Sequence, residues 1–139
     1  MTNGIKVKKR NGRGTEVLQL EKMHKMVEMA CEGLAGVSAS QVEIQSGIQF
    51  YDGITTAEIQ EILIRSASDL IDLDHPNYQF VAARLLLFSL RKQLFKRMHD
   101  TPVLKDHVKN CVEKGVYDAE ILDLYSEEEY NKLQSFIDH

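Results

Sequence analysis

The chain has no tryptophan, two prolines and two cysteines in 139 residues, and each scarcity excludes something. Two cysteines cannot build a disulfide scaffold or a four-cysteine zinc site. Cys31 and Cys111 fall at apolar positions of helical patterns and are expected to be reduced core thiols of a cytosolic protein. The five histidines, His24, His75, His99, His107 and His139, show no metal-ligand spacing with each other or with cysteine, so no metal site is expected. No run approaches the ~18 apolar residues that span a bilayer. The basic N-terminus lacks the apolar stretch and cleavage site of a secretory signal, so a membrane partner is not expected. Also missing are a Walker-type loop, a GxGxxG after a strand, a GxSxG elbow and an HExxH pair, and no catalytic residue is expected. A net charge of −4 argues against a general polyanion binder, and no nucleic-acid partner is expected.

What is present is a helical pattern behind a short basic ribbon. Hydrophobic residues make up 43% of the chain and are spread along it, which describes a globular protein. Ile5 to Arg10 and Glu16 to Leu20 read as two strands joined through Asn11, Gly12 and Gly14, residues that accept positive φ. Alternation puts Ile5, Val7 and Lys9 on one face and Lys6, Lys8 and Arg10 on the other. A two-stranded ribbon is marginal alone and must pack on the helices that succeed it.

Four helices come next. Met23, Met26, Val27, Ala30 and Leu34 form an apolar stripe that stops near Gly33 and Gly36. Ser38 with Gln41, and Thr55 with Glu58, are capping-box patterns for the second and third helices. The third carries Ile59, Ile62, Leu63, Ala67, Leu70 and Ile71. Pro76 suits the first turn of the fourth, whose Val81, Ala82, Leu85, Leu86, Phe88 and Leu90 are apolar nearly all round, so this helix is expected to be the buried centre of the bundle. It ends basic at Arg91, Lys92, Lys96 and Arg97, in keeping with the helix dipole.

Beyond Met98 the register changes. Thr101 and Pro102 read as N-cap and first turn of a helix through Val108 and Val112 ending at Gly115, and Ser126 with Glu129 caps a last helix bearing Tyr130, Leu133, Phe136 and Ile137. The chain stops at His139 after an apolar helix face. Residues 99–139 are therefore expected to open a second domain, completed by further sequence or by another chain, after a first domain over residues 1–98.

The charge is uneven. Lys6, Lys8, Lys9, Arg10 and Arg13 all precede the first acidic residue, Glu16. Lysines beside a glycine turn suit a nucleotide, since backbone groups can read a base edge, ammonium groups can meet phosphate, and a carboxylate can accept from a sugar hydroxyl. A solvated basic face accounts for the same charges. Acidic clusters such as Asp72 with Asp74 and Glu127 to Glu129 lie at helix ends, where acids serve as caps.

The order of residues says more. Val7-x-Lys9-Arg10-x-Gly12, then Glu16, Lys22, Gln49-Phe50-Tyr51-Asp52-Gly53-Ile54-x-Thr56, Tyr78 to Leu85 and Arg91-Lys92 resemble the ATP-cone at the N-terminus of the large subunit of class I ribonucleotide reductase. The resemblance continues through Lys114-Gly115-x-Tyr117-Asp118 and Tyr125 to Glu129 as far as Phe136-Ile137-Asp138-His139. It implies a mainly α fold, a four-helix bundle capped by an N-terminal β-hairpin and followed by short helices. It implies ATP or dATP as an allosteric effector, with Mg²⁺, setting the overall activity of the reductase. The partners it implies are the rest of the large subunit and the radical-bearing small subunit. Carried over by position, Val7, Lys9, Glu16 and Gln19 would hold base and sugar, and Lys9, Lys22, Thr56 and Lys92 would approach the phosphates.

Two departures stand out from the family pattern. Three residues rather than two separate Gly12 from Glu16, which bears on hairpin register, and Gln60 and Ser89 stand where some relatives carry histidines tied to nucleotide discrimination. A degenerate cone used only for subunit docking is the alternative these departures allow. A cone-bearing DNA-binding repressor would need four metal-binding cysteines ahead of the cone, whereas this sequence opens on the hairpin.

Overall fold

A computed structural model describes residues 4–9, 14–96 and 101–137. Strands β1 (Lys6–Lys8) and β2 (Thr15–Val17) precede α1 (Leu20–Cys31), α2 (Ala39–Gly47), α3 (Thr56–Asp69), α4 (Tyr78–Phe95), α5 (Leu104–Glu113), α6 (Glu120–Leu124) and α7 (Glu127–Gln134). This is the expected mainly helical chain behind a β-hairpin. The strands are shorter than the sequence suggested, and the turn expected at Asn11 and Gly12 lies outside the described residues, as do Arg10, Arg13 and Met98.

The strands are antiparallel, with Lys6 opposite Val17, Val7 opposite Glu16 and Lys8 opposite Thr15. Lys9 N–H donates to the Gly14 carbonyl at 3.3 Å and closes the ladder. The ribbon then gains a third segment. Lys8 N–H donates to Ile54 O at 2.9 Å, Gly53 N–H to Lys6 O at 2.8 Å, and Lys6 N–H to Asp52 Oδ1 at 2.8 Å. Gly53 sits at φ 87°, a conformation that glycine adopts without a Cβ penalty. Ile54, fully buried, and Val7 carry this small sheet into the core.

The principal helix contacts run α1 to α2, α2 to α3, α3 to α4 and α4 back to α1, a closed four-helix bundle. Met23, Met26, Val27 and Ala30 are buried from α1, as the stripe predicted. From α3 come Ile59, Leu63 and Ala67. Val42 from α2 and Tyr78, Val81, Leu85 and Phe88 from α4 complete the interior.

Helix α4 is not the buried centre that its composition suggested. Phe80, Leu86, Leu87, Leu90 and Leu94 are exposed along the side opposite its core face. Helix α3 packs between α2 and α4, with Leu63, Ser66 and Ala67 fully buried. Apolar content alone could not separate a helix buried all round from one with two apolar faces.

Helix ends bring further corrections. The capping box at Thr55 and Glu58 is complete, but Ser38 makes no side-chain cap with Gln41. Instead the Ser38 N–H donates to Tyr78 Oη at 3.1 Å, and Asn77 Nδ2 donates to Ala35 O at 2.9 Å, so the start of α4 ties down the preceding loop. Pro76 lies just ahead of the Asn77 N-cap rather than in the first turn. Helix α5 begins at Leu104 behind Val103, not at Pro102, because the Gln134 amide oxygen from α7 accepts the Leu104 N–H at 2.5 Å. Helix α6 was not anticipated from the sequence. Both cysteines are free and half-buried rather than core residues.

Candidate nucleotide-binding site

The hairpin crosses the end of the bundle where α1 and α3 begin and α4 finishes, and a cavity of about 600 Å³ opens between them. Hairpin alternation fixes what faces it. Val7 and Glu16 are directly paired across the strands and both line the cavity, so the extra residue between Gly12 and Glu16 does not turn Glu16 away. Gln19 stands at the N-cap of α1, and Lys22 comes in its first turn. Thr56 opens α3 directly after the Thr55 cap. Lys92 lies in the last turn of α4. All seven residues singled out in the sequence, Val7, Lys9, Glu16, Gln19, Lys22, Thr56 and Lys92, line this one cavity.

The walls have two characters. Val7, Leu18, Met23, Met26 and Ile59 make an apolar lining, and two thioethers suit the face or edge of an aromatic ring. Lys9, Lys22, Lys92 and Lys96 supply four ammonium groups against the single carboxylate of Glu16. This part of the surface is therefore cationic on a chain whose net charge is −4.

Glu16 is engaged from two sides. Lys9 Nζ lies 2.6 Å from its Oε2, and Gln19 Nε2 donates to its Oε1 at 2.7 Å. The hydrogen bond from Lys9 and then its charge hold the carboxyl below its ordinary range against the opposing effect of burial, with the charge of Lys22 adding least. Glu16 thus stays an anion, able to accept hydrogen bonds and to fix the Lys9 ammonium.

Sequence reasoning passed over Gln93, and it named Lys96 only as part of a basic helix end and Gln60 only as a departure from the family pattern. All three line the cavity. Gln60 is buried, and among the described residues its amide meets only the Met26 sulfur at 3.9 Å, a weak partner that leaves amide capacity for a ligand. The 3.6-residue period that places Ile59 and Leu63 inward puts Gln60 beside them. The Asp52-Gly53 pair, part of the quoted motif, is structural: it docks the hairpin onto the bundle.

Residues 5–93 match the family model described as the ATP cone domain. The chain belongs to that family. It is also similar over its whole length to ribonucleoside-diphosphate reductase 1 subunit alpha of Escherichia coli K12, with 48% identity over 139 residues, and at 47% to the reductase subunit alpha of Haemophilus influenzae. The subunit alpha of enterobacteria phage T4 matches at 40% over 121 residues, 86% of this chain and 16% of that protein. The chain spans 18% of the length of the two bacterial relatives. In the cone the cavity lies within the family-matched region but for Lys96, three residues beyond its end. Among the described residues no helix is long and apolar enough to cross a membrane.

Proposed function

We propose that the cavity binds ATP or dATP as an allosteric effector, and that this cone governs the overall activity of a ribonucleoside-diphosphate reductase acting in deoxyribonucleotide synthesis. The carrying observation is the convergence of the seven expected residues on one cavity whose lining combines apolar side chains with lysines. A volume of about 600 Å³ falls within the range of small-ligand sites. The apolar walls suit the purine, and the lysines suit a triphosphate. The N-terminus of α3 beside Thr56 adds backbone N–H groups that favour an anion. In this reading Mg²⁺ comes with the nucleotide, held mainly by phosphate oxygens, since Glu16 is the cavity's one carboxylate and is already taken by Lys9 and Gln19.

The reading divides the chain into a cone over residues 1–98 and the start of a further helical region over 99–139. It makes the rest of a large subunit and a radical-bearing small subunit the partners, in the cytoplasm. ATP and dATP differ only at the 2′-hydroxyl, so regulation requires two arrangements of the cone with unequal preference for that group. A coupling of ~1 to 3 kcal/mol is enough. The buried Gln60 amide is a candidate for the group that senses this difference, because a hydroxyl can pair with it and a hydrogen cannot.

Calorimetry tests this directly. The chain is expected to bind ATP and dATP, each displacing the other, and Lys22→Ala is expected to weaken ATP about tenfold through loss of one charge-assisted contact. Absence of heat and of competition at millimolar nucleotide would refute nucleotide binding and leave the docking-only cone as the better account.

A further inference from the structure

We propose that Lys96 is an additional phosphate-binding residue of this cavity, supplied from a left-handed turn at the end of α4. The inference rests on the nucleotide reading above and adds to it a residue outside the family-matched stretch.

Lys96 is the C-cap of α4, at φ 61° and ψ 14°. Every other positive φ among the described residues belongs to a glycine. Glycine or asparagine would occupy this conformation with less steric cost than lysine, whose Cβ crowds its own backbone there. The turn folds the lysine back against the cavity, so that Lys92, Gln93 and Lys96 form one wall. Among the described residues its ammonium meets a carbonyl oxygen, that of Gln93 at 3.3 Å.

A helix C-terminus attracts any cation, and capping would account for a lysine somewhere in the last turn. Capping does not account for a lysine at a position suited to glycine and lining the cavity that Lys9, Lys22 and Lys92 also line. Glu16, paired with Lys9, is the one carboxylate in a lining that carries four lysines, so the cavity as a whole favours an anion. A phosphate oxygen would replace the neutral Gln93 carbonyl with a charge-assisted partner.

Three variants of the full chain separate charge from backbone effects: Lys96→Arg, Lys96→Asn and Lys96→Gly, each titrated with ATP at several salt concentrations. The neutral pair should lose about threefold to tenfold in ATP affinity and show a shallower salt dependence, whereas the arginine variant stays within about twofold of the parent. Unliganded Lys96→Gly should melt at or above the parent temperature, showing that lost affinity is not lost folding. Parental affinity in the neutral variants, or an equal loss in Lys96→Arg, would overturn the proposal while leaving the nucleotide reading intact. A parent chain that fails to bind ATP overturns both.

Discussion

The bundle and the segment C-terminal to it are both helical, yet they are held by different forces. Fourteen buried hydrophobic side chains from β1, the Ile54 segment and all four bundle helices form one cluster. Among the described residues of 101–137, Val108 and Tyr130 alone are buried hydrophobics. Order there depends on individual polar contacts: Tyr130 Oη donates to Ile121 O at 2.6 Å, Lys105 lies 3.1 Å from Glu127, and Ser126 and Glu129 complete a capping box. Burial is additive over a shared interior, whereas each exposed contact competes with water. A ligand cavity that must hold its shape sits on the first kind of structure.

The largest test removes part of that interior. Leu63 is fully buried, while Leu133 of α7 is more than half exposed. In urea denaturation Leu63→Ala is expected to cost about 2 to 5 kcal/mol, and Leu133→Ala to stay within about 0.5 kcal/mol. Within α4 the same contrast should appear between Val81→Ala, on the buried face, and Leu87→Ala, on the exposed one. Similar costs at Leu63 and Leu133 would mean that the C-terminal segment shares the bundle's stability, and the distinction would fail.

A smaller effect compares two helix starts inside the bundle. Thr55 Oγ1 accepts the Glu58 N–H at 3.2 Å, and Glu58 returns to the Thr55 N–H at 2.8 Å. The Thr55 N–H, then the Thr55 and Tyr51 hydroxyls, donate to the Glu58 carboxyl and keep it below its ordinary range. Ser38 offers no such side-chain bond. Thr55→Ala should cost about 1 kcal/mol and Ser38→Ala a few tenths at most. Because Thr55 neighbours Thr56 at the cavity, Thr55→Ala should also weaken ATP binding, which Ser38→Ala should not.

These contrasts show where the sequence was legible. Spacing gave the α1 stripe and the α3 cap because each depends on residues a few positions apart. Order of residues gave the seven cavity positions, since the resemblance carries spatial information that composition does not. What escaped was set by tertiary partners. Tyr78 and Asn77 reach back across some forty residues to organise the loop before α2, so Ser38 has no need of Gln41. Leu104 starts a helix where α7 supplies an acceptor. The exposed side of α4 is as apolar as its buried side, and only packing tells them apart. Lys96 belonged to a basic helix end in the sequence, and its left-handed backbone put it on the cavity wall.

The smallest expected effect concerns how α1 and α2 are fastened away from the cavity. His24 Nδ1 lies 2.6 Å from Glu43 Oε1 on α2, and its Nε2 lies 3.0 Å from Glu28 Oε1 one turn along α1. The hydrogen bond to Glu43, then its charge, with Glu28 adding less, raises the imidazole above its ordinary value of 6.5. The favoured form in the fold is therefore the cation. Its contribution is complete below the unfolded value of 6.5 and disappears as pH rises through the higher folded value. Glu43→Gln should accordingly lower stability more at about pH 5.5 than at about pH 8.5, by an amount limited by solvent exposure. The parent and the variant should converge toward alkaline pH in thermal melts, with ATP affinity unchanged in both. A deficit that is constant across pH would assign Glu43 a packing role and leave the histidine no part in joining the two helices.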